Sequence, residues 1–122
     1  MWMGGGCHCG AVRFRVLVED PRTCLDCNCT ICRKKGFLHY IVPPHRFELE
    51  SGEESLLEYR FGTKTARHLF CQTCGISPFY EPRSHPGSID VNVRCLDDDA
   101  ARTFKIEPFD GANWEKNIDS IR

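Results

Sequence analysis

Long apolar runs, a basic leader and a concentrated cationic surface are all missing from this sequence, and each absence narrows what the chain can be. No stretch approaches the roughly 20 apolar residues that span a bilayer, so no membrane-crossing helix is expected. The opening Met1-Trp2-Met3-Gly4-Gly5-Gly6 lacks the positive charge and apolar core of a secretory leader and runs straight into the first cysteine pair. A cytoplasmic location is the expectation, and there thiols stay reduced. The formal net charge is −1 and Arg33-Lys34-Lys35 is the only basic run. Binding nucleic acid through a clustered basic surface is therefore not expected, least of all once thiolates add negative charge. The run reads as a solvated face, with the alternative that cations next to Cys32 offset a thiolate-rich centre. Internal repeats, low-complexity tracts, a nucleophile triad, a phosphate loop and a carboxylate pair are absent too.

What the chain has instead is sulphur. Nine cysteines in 122 residues are too many for an ordinary reduced enzyme unless metals or disulfides account for them. Seven form three clusters: Cys7-His8-Cys9, Cys27-Asn28-Cys29-Thr30-Ile31-Cys32 and Cys71-Gln72-Thr73-Cys74. Seven is one short of two closed four-thiolate zinc sites. A structural zinc is closed by four protein ligands, whereas a catalytic zinc keeps three and leaves a position for water or substrate, so one site of each kind is expected. The two-residue spacing of Cys71 and Cys74 lets both thiolates reach one ion at about 2.3 Å. Cys7 and Cys9 supply a partner pair if the chain bends there. Gly10 and Gly75 follow these pairs, where a left-handed backbone is needed. Cys27, Cys29 and Cys32 remain for a second, open site, although Cys24 is spaced to close it as a fourth ligand. Thiolate sets favour zinc, with iron the main competitor; dithiol redox cycling ranks below both.

Two-residue alternation organises the rest. Val12, Phe14, Val16 and Val18 share one side of a strand, and Leu38 to Val42 reads as another, ended by Pro43-Pro44. Phe47 and Leu49, then Leu57, Tyr59 and Phe61, continue the pattern, followed by Ala66 to Phe70, Ile76 to Tyr80, the Ile89/Val91/Val93/Cys95 face opposite Asp90, Asn92 and Arg94, and finally Phe104 and Ile106. Helix is confined to a turn or two after Thr30, stopped by Gly36, and to a stretch from Asn113 to Ile121. The expectation is one mainly β domain over residues 1–122, with small antiparallel sheets stapled by zinc. Cys95 reads as a small buried hydrophobe. His39 and His68 read as packing residues, His8 points away from its cysteine neighbours, and His45 and His85 lie in proline-rich loops. The glycosylation triplet Asn28-Cys29-Thr30 sits inside the densest cysteine cluster and reads as a chance match.

Gly5-Gly6-Cys7-His8-Cys9-Gly10-Ala11-Val12-Arg13-Phe14, the Cys27–Cys32 cluster and Phe70-Cys71-Gln72-Thr73-Cys74-Gly75 together resemble the glutathione-dependent formaldehyde-activating enzyme family. Phe79-Tyr80-Glu81-Pro82-Arg83-Ser84-His85-Pro86-Gly87, Arg94-Cys95-Leu96-Asp97 and Trp114-Glu115 look more like its centromere protein V branch. The resemblance implies a β-tent with two zinc ions: Cys7, Cys9, Cys71 and Cys74 on the structural one, and Cys27, Cys29 and Cys32 on the catalytic or labile one. It also implies carbon–sulfur lyase chemistry on S-(hydroxymethyl)glutathione or a related adduct, with glutathione or another small thiol as partner. The alternative is a non-catalytic zinc-binding module for protein interaction.

Overall fold

The computed structural model describes residues 1–62, 64 and 66–121. Among these residues ten strands form two sheets. The smaller has the order β1 (Trp2–Gly6), β2 (Arg13–Leu17) and β5 (Phe47–Ser51), all antiparallel. The larger has seven strands in the order β10 (Lys105–Phe109), β3 (Thr23–Cys27), β4 (Leu38–Val42), β9 (Ile89–Asn92), β8 (Phe79–Glu81), β7 (Arg67–Cys71) and β6 (Leu56–Tyr59). Its pairs are antiparallel except β10 with β3, which run parallel. Helix is short: α1 (Thr30–Lys35), α2 (Trp114–Asn117) and a few single turns. Gly36 stops α1 in a left-handed conformation, φ 68°, with its amide donating to the Cys32 carbonyl. The mainly β class and sparse helix agree with the alternating pattern.

Side chains on a strand alternate between faces, and that parity sorts the whole molecule. One face of the large sheet sends Leu38, Val42, Leu69, Phe79 and Val91 into the main core. They meet Val12, Phe14, Val16 and Val18, which are at most 2% exposed. Phe14 anchors the contact, stacking on Phe47 at 5.5 Å between ring centroids and meeting Phe79 edge-on at 6.1 Å. The residues in between necessarily point the other way. Leu25, Cys27, His39, Ile41, His68, Tyr80 and Asp90 all line a cavity on that second face.

Three readings from alternation change in the fold. Leu57 and Tyr59 lie on β6, an edge strand, and are about half exposed, as is Phe61 just beyond it. An edge strand has one neighbour and less cover, so periodicity there does not mark burial. Cys95 lies in a single helical turn after β9, packed against the main core and not on the strand itself. Asp90 and Asn92, opposite the apolar face of β9, are 1% and 7% exposed because this part of the sheet is covered on both sides. Asn92 is engaged at both ends: its amide donates to the Ser77 carbonyl at 3.1 Å, and its carbonyl oxygen accepts from the amides of Leu38 and Arg94.

Removing the Phe14 ring should cost about 3–5 kcal/mol, since its cavity would lie at the junction of the sheets. Urea denaturation of Phe14→Ala against the parent measures this, and a loss below about 1 kcal/mol would mean the two sheets do not depend on that contact.

Candidate metal centre

Two loops built alike bring the first thiol group together. In each, the first cysteine's amide donates to the carbonyl five residues on (Cys7 to Val12 at 3.1 Å, Cys71 to Ile76 at 2.9 Å). In each, the glycine amide returns to the first cysteine's carbonyl, Gly10 to Cys7 and Gly75 to Cys71. Both turns need a positive φ, 83° at Gly10 and 78° at Gly75, which glycine adopts without strain. Amides also point at sulphur: Val12 N–H at Cys7 Sγ, 3.3 Å, and Thr73 N–H at Cys71 Sγ, 3.4 Å. The Cys74 amide, then that of Thr73, holds the Cys71 thiol below the usual thiol range. Cys7 Sγ lies 3.6 Å from Cys9 Sγ, which lies 3.7 Å from Cys71 Sγ, and the four sulphurs of Cys7, Cys9, Cys71 and Cys74 are within 4.8 Å of one another. Four sulphurs so close can surround one tetrahedral ion. One loop joins β1 to β2 and the other joins β7 to β8, so the group links the two sheets.

The second group sits on the far face of the large sheet. β3 delivers Cys27, and α1 delivers Cys29 and Cys32. Cys29 caps the helix, its Sγ accepting from the Cys32 amide at 3.4 Å. The thiols of Cys27 and Cys32, together with the amides of Cys32 and Ile31, draw the Cys29 pKa far down. Cys27 and Cys32 move up in return, the expected outcome when three thiols share one negative charge. Cys24 does not join them. Three residues from Cys27 along a strand, it faces the opposite side and is 1% exposed in the main core, where burial raises its pKa. Cys95 likewise lies outside both groups, its thiol pushed up to about 12 by burial.

His39 joins Cys27 and Cys32, and Cys29 lies outside that set of mutually close donors. A ring nitrogen of His39 lies within 4.8 Å of Cys27 Sγ and Cys32 Sγ, and all three could hold a metal ion. His39 Nδ1 is 2.6 Å from Asp90 Oδ2, with the Tyr80 hydroxyl 3.4 Å away. His39 Nε2 and Asp90 Oδ1 are buried without a hydrogen-bond partner. Alternation alone reads His39 as a packing residue and sets Asp90 opposite the apolar face; the signal that finds them is a titratable pair on two strands that become neighbours in the sheet.

Of the basic run, Arg33 and Lys34 are exposed, whereas Lys35 turns inward. Its Nζ is 3.4 Å from His68 Nδ1 and 3.3 Å from Ser77 Oγ, and 5.5 Å from the Tyr80 ring centre. Burial lowers the Lys35 pKa, with Cys32, Asp90 and Cys29 opposing. Burial, and then the Lys35 charge, take His68 down to about 4. His8 and His45 are exposed, and His85 is half-buried with its Nδ1 2.7 Å from Ser84 Oγ.

A cavity of about 280 Å3 opens over the second group, its walls including Leu25, Ile31, Ile41 and Phe109, with Arg83 and Ser84 among the polar residues. The segment after β10 folds over it: Ile118 packs with Cys27, Cys32 and Phe109. Asn28 pins this segment, donating to Asp110 Oδ1 at 3.0 Å and accepting from the Ala112 amide at 2.8 Å. Both ends of the Asn28 carboxamide are thereby engaged. Gly111 touches the group directly, since a Cβ there would overlap Cys27 Sγ. Among the described residues, no helix is long and apolar enough to cross a membrane.

Two sheets joined by one cysteine group, with a second group under a cavity, define a cysteine-cluster β protein. The family model for glutathione-dependent formaldehyde-activating enzyme matches residues 2–112. The chain belongs to that family. A Halomonas elongata protein provisionally named as a glutathione-dependent formaldehyde-activating enzyme is 56% identical over 34 residues, 28% of this chain. The match spans only 22% of that relative's length. A crystal structure of a Rhodobacter sphaeroides protein superimposes with a TM-score of 0.76 at 36% identity, covering 86% of this chain and all of the other.

Gly111→Ala should destabilise the fold by about 1–3 kcal/mol, because the added methyl must displace Cys27 or the covering turn. The same variant should speed labelling of Cys27 by a thiol reagent; unchanged stability and labelling would show that the turn gives way freely.

Proposed function

We propose that this chain is a zinc-dependent carbon–sulfur lyase-type enzyme acting on S-(hydroxymethyl)glutathione or a related thiol adduct. Cys7, Cys9, Cys71 and Cys74 would hold a structural zinc, and Cys27, Cys29 and Cys32 a second, catalytic one. The carrying observation is the second thiol group at the wall of a cavity, on the face of the sheet away from the main core. The donors fit the ion, because clustered thiols select zinc over harder cations. Zinc at the second group supplies a Lewis acid that favours the thiolate form of an incoming thiol.

In the synthetic direction the thiol gives up its proton, its sulphur bonds to the aldehyde carbon, and the carbonyl oxygen takes a proton to become the hydroxyl of the adduct. The lyase direction breaks the same carbon–sulfur bond and returns both protons. The chain's residues prepare the place for this. Leu25, Ile31, Ile41 and Phe109 exclude water from the reacting sulphur. Lys35, held between His68, Ser77 and the Tyr80 ring, sets a cation within electrostatic reach of Cys29 and Cys32. Arg83 and Ser84 place hydrogen-bonding groups in the lining, suited to the polar ends of a small peptide thiol. Family membership supports glutathione as that thiol.

The competing reading is a non-catalytic zinc module, and metal stoichiometry with and without glutathione separates the two. Two zinc ions per chain, one perturbed by the thiol, are expected of the enzyme; two inert zinc ions would leave the module. Cys29→Ser should lower thiol-adduct turnover by roughly 10- to 100-fold while the circular dichroism spectrum stays native. Loss of folding in that variant, or no turnover in the parent, would assign the second zinc to structure. Exhaustive chelation should partly unfold the domain, because metal binding and folding are coupled in such sites. An unchanged melting temperature after removal of all metal would contradict a structural role for the first group.

A further inference from the structure

We propose that His39, held by Asp90, is itself a ligand of the second metal: Cys27, Cys32 and His39 form the buried tripod, and Cys29 stands outside it at the start of α1, where a thiol enters. The inference rests on the reading that a metal occupies this group, and it changes which side chains hold it.

Geometry comes first. A His39 ring nitrogen and the sulphurs of Cys27 and Cys32 are mutually within 4.8 Å, the spread of donors around one ion. Nδ1 is committed elsewhere, 2.6 Å from Asp90 Oδ2. A carboxylate oxygen accepts, so Nδ1 carries a proton, and in the neutral imidazole that binds metals Nε2 keeps a free lone pair. That atom is buried with no hydrogen-bond partner in a residue 6% exposed. A buried polar atom left unpaired costs about 1–3 kcal/mol, and a metal bond removes that cost. The arrangement of carboxylate, imidazole and vacant ring nitrogen is the one that orients histidine ligands in zinc proteins.

Burial and charge complete the argument. Cys27, Cys32 and His39 are each at most 9% exposed, whereas Cys29 is half-buried at the start of α1. An entering thiol therefore meets Cys29 before the other three. Two thiolates and a neutral imidazole balance a divalent ion, whereas three thiolates leave one negative charge and a weaker Lewis acid. Two cysteines and one histidine also form a known catalytic zinc set.

X-ray absorption at the zinc edge of the fully loaded parent chain tests the proposal without depending on how any variant folds. An imidazole nitrogen shell at about 2.0–2.1 Å is expected beside the sulphur shell at about 2.3 Å. Metal counts on variants then assign it. His39→Ala should lose the second zinc and keep the first, His39→Cys should regain it, and Cys29→Ser should keep both. Asp90→Asn should weaken the second site by roughly 10- to 100-fold, as expected when the group orienting a ligand is removed. Two zinc ions with a sulphur-only shell, or an unaffected second zinc in His39→Ala, would overturn the role of His39 and leave the proposed enzyme standing. A parent chain that holds only the first zinc would overturn both.

Discussion

The pleat of the seven-stranded sheet is the constraint on which the rest of this structure depends. Because successive side chains must point to opposite faces, any strand that feeds the core also decides what stands behind it. β4 buries Leu38 and Val42 on one side and thereby turns His39 and Ile41 to the other. β9 does the same with Val91 and Asp90, β8 with Phe79 and Tyr80, β7 with Leu69 and His68. The site is thus the reverse of the core. A slip of one residue in any of these pairings would exchange the two sets, so core packing and site geometry are enforced by the same register.

The two cysteine groups solve different mechanical problems. The first lies where the small sheet meets the large one, and its paired loops resemble each other down to the glycine that closes them. Backbone amides of Cys74 and Thr73 aimed at Cys71 Sγ favour the thiolate form of that residue. The second lies against a single sheet under cover of α1 and the segment after β10, so its geometry depends on what packs over it. Its surroundings carry unusual electrostatic tension for so small a fold: a half-buried lysine among aromatic rings, a histidine kept neutral beside it, and a carboxylate–imidazole pair with one atom on each partner unmatched. Such groupings are enriched where chemistry is done.

Much of this was legible in the sequence. The alternation of Val12, Phe14, Val16 and Val18, the span of β4 and the stop of α1 at Gly36 follow from local pattern, and the grouping of Cys7, Cys9, Cys71 and Cys74 from matching two short cysteine pairs 62 residues apart. What escaped has physical reasons. β1 carries Gly4-Gly5-Gly6, which reads as loose chain, and its pairing with β2 supplies the order. Cys24 and Cys27 show a two-residue spacing that brings thiols together in a turn but separates them in a strand, and β3 was not visible as one. His39 and Asp90 are far apart in sequence and meet only because β4 and β9 pair. A charged residue inside an alternating strand reads as a solvent-facing residue until the sheet's second cover is known.

The parallel pairing of β10 with β3 carries a consequence for biosynthesis. Residues 27–32 leave the ribosome well before residues 105–121 that roof them, so the middle thiols stand open while the chain grows. In the folded chain Phe109, Gly111 and Ile118 cover the second group on that side, which leaves the cavity as its open approach.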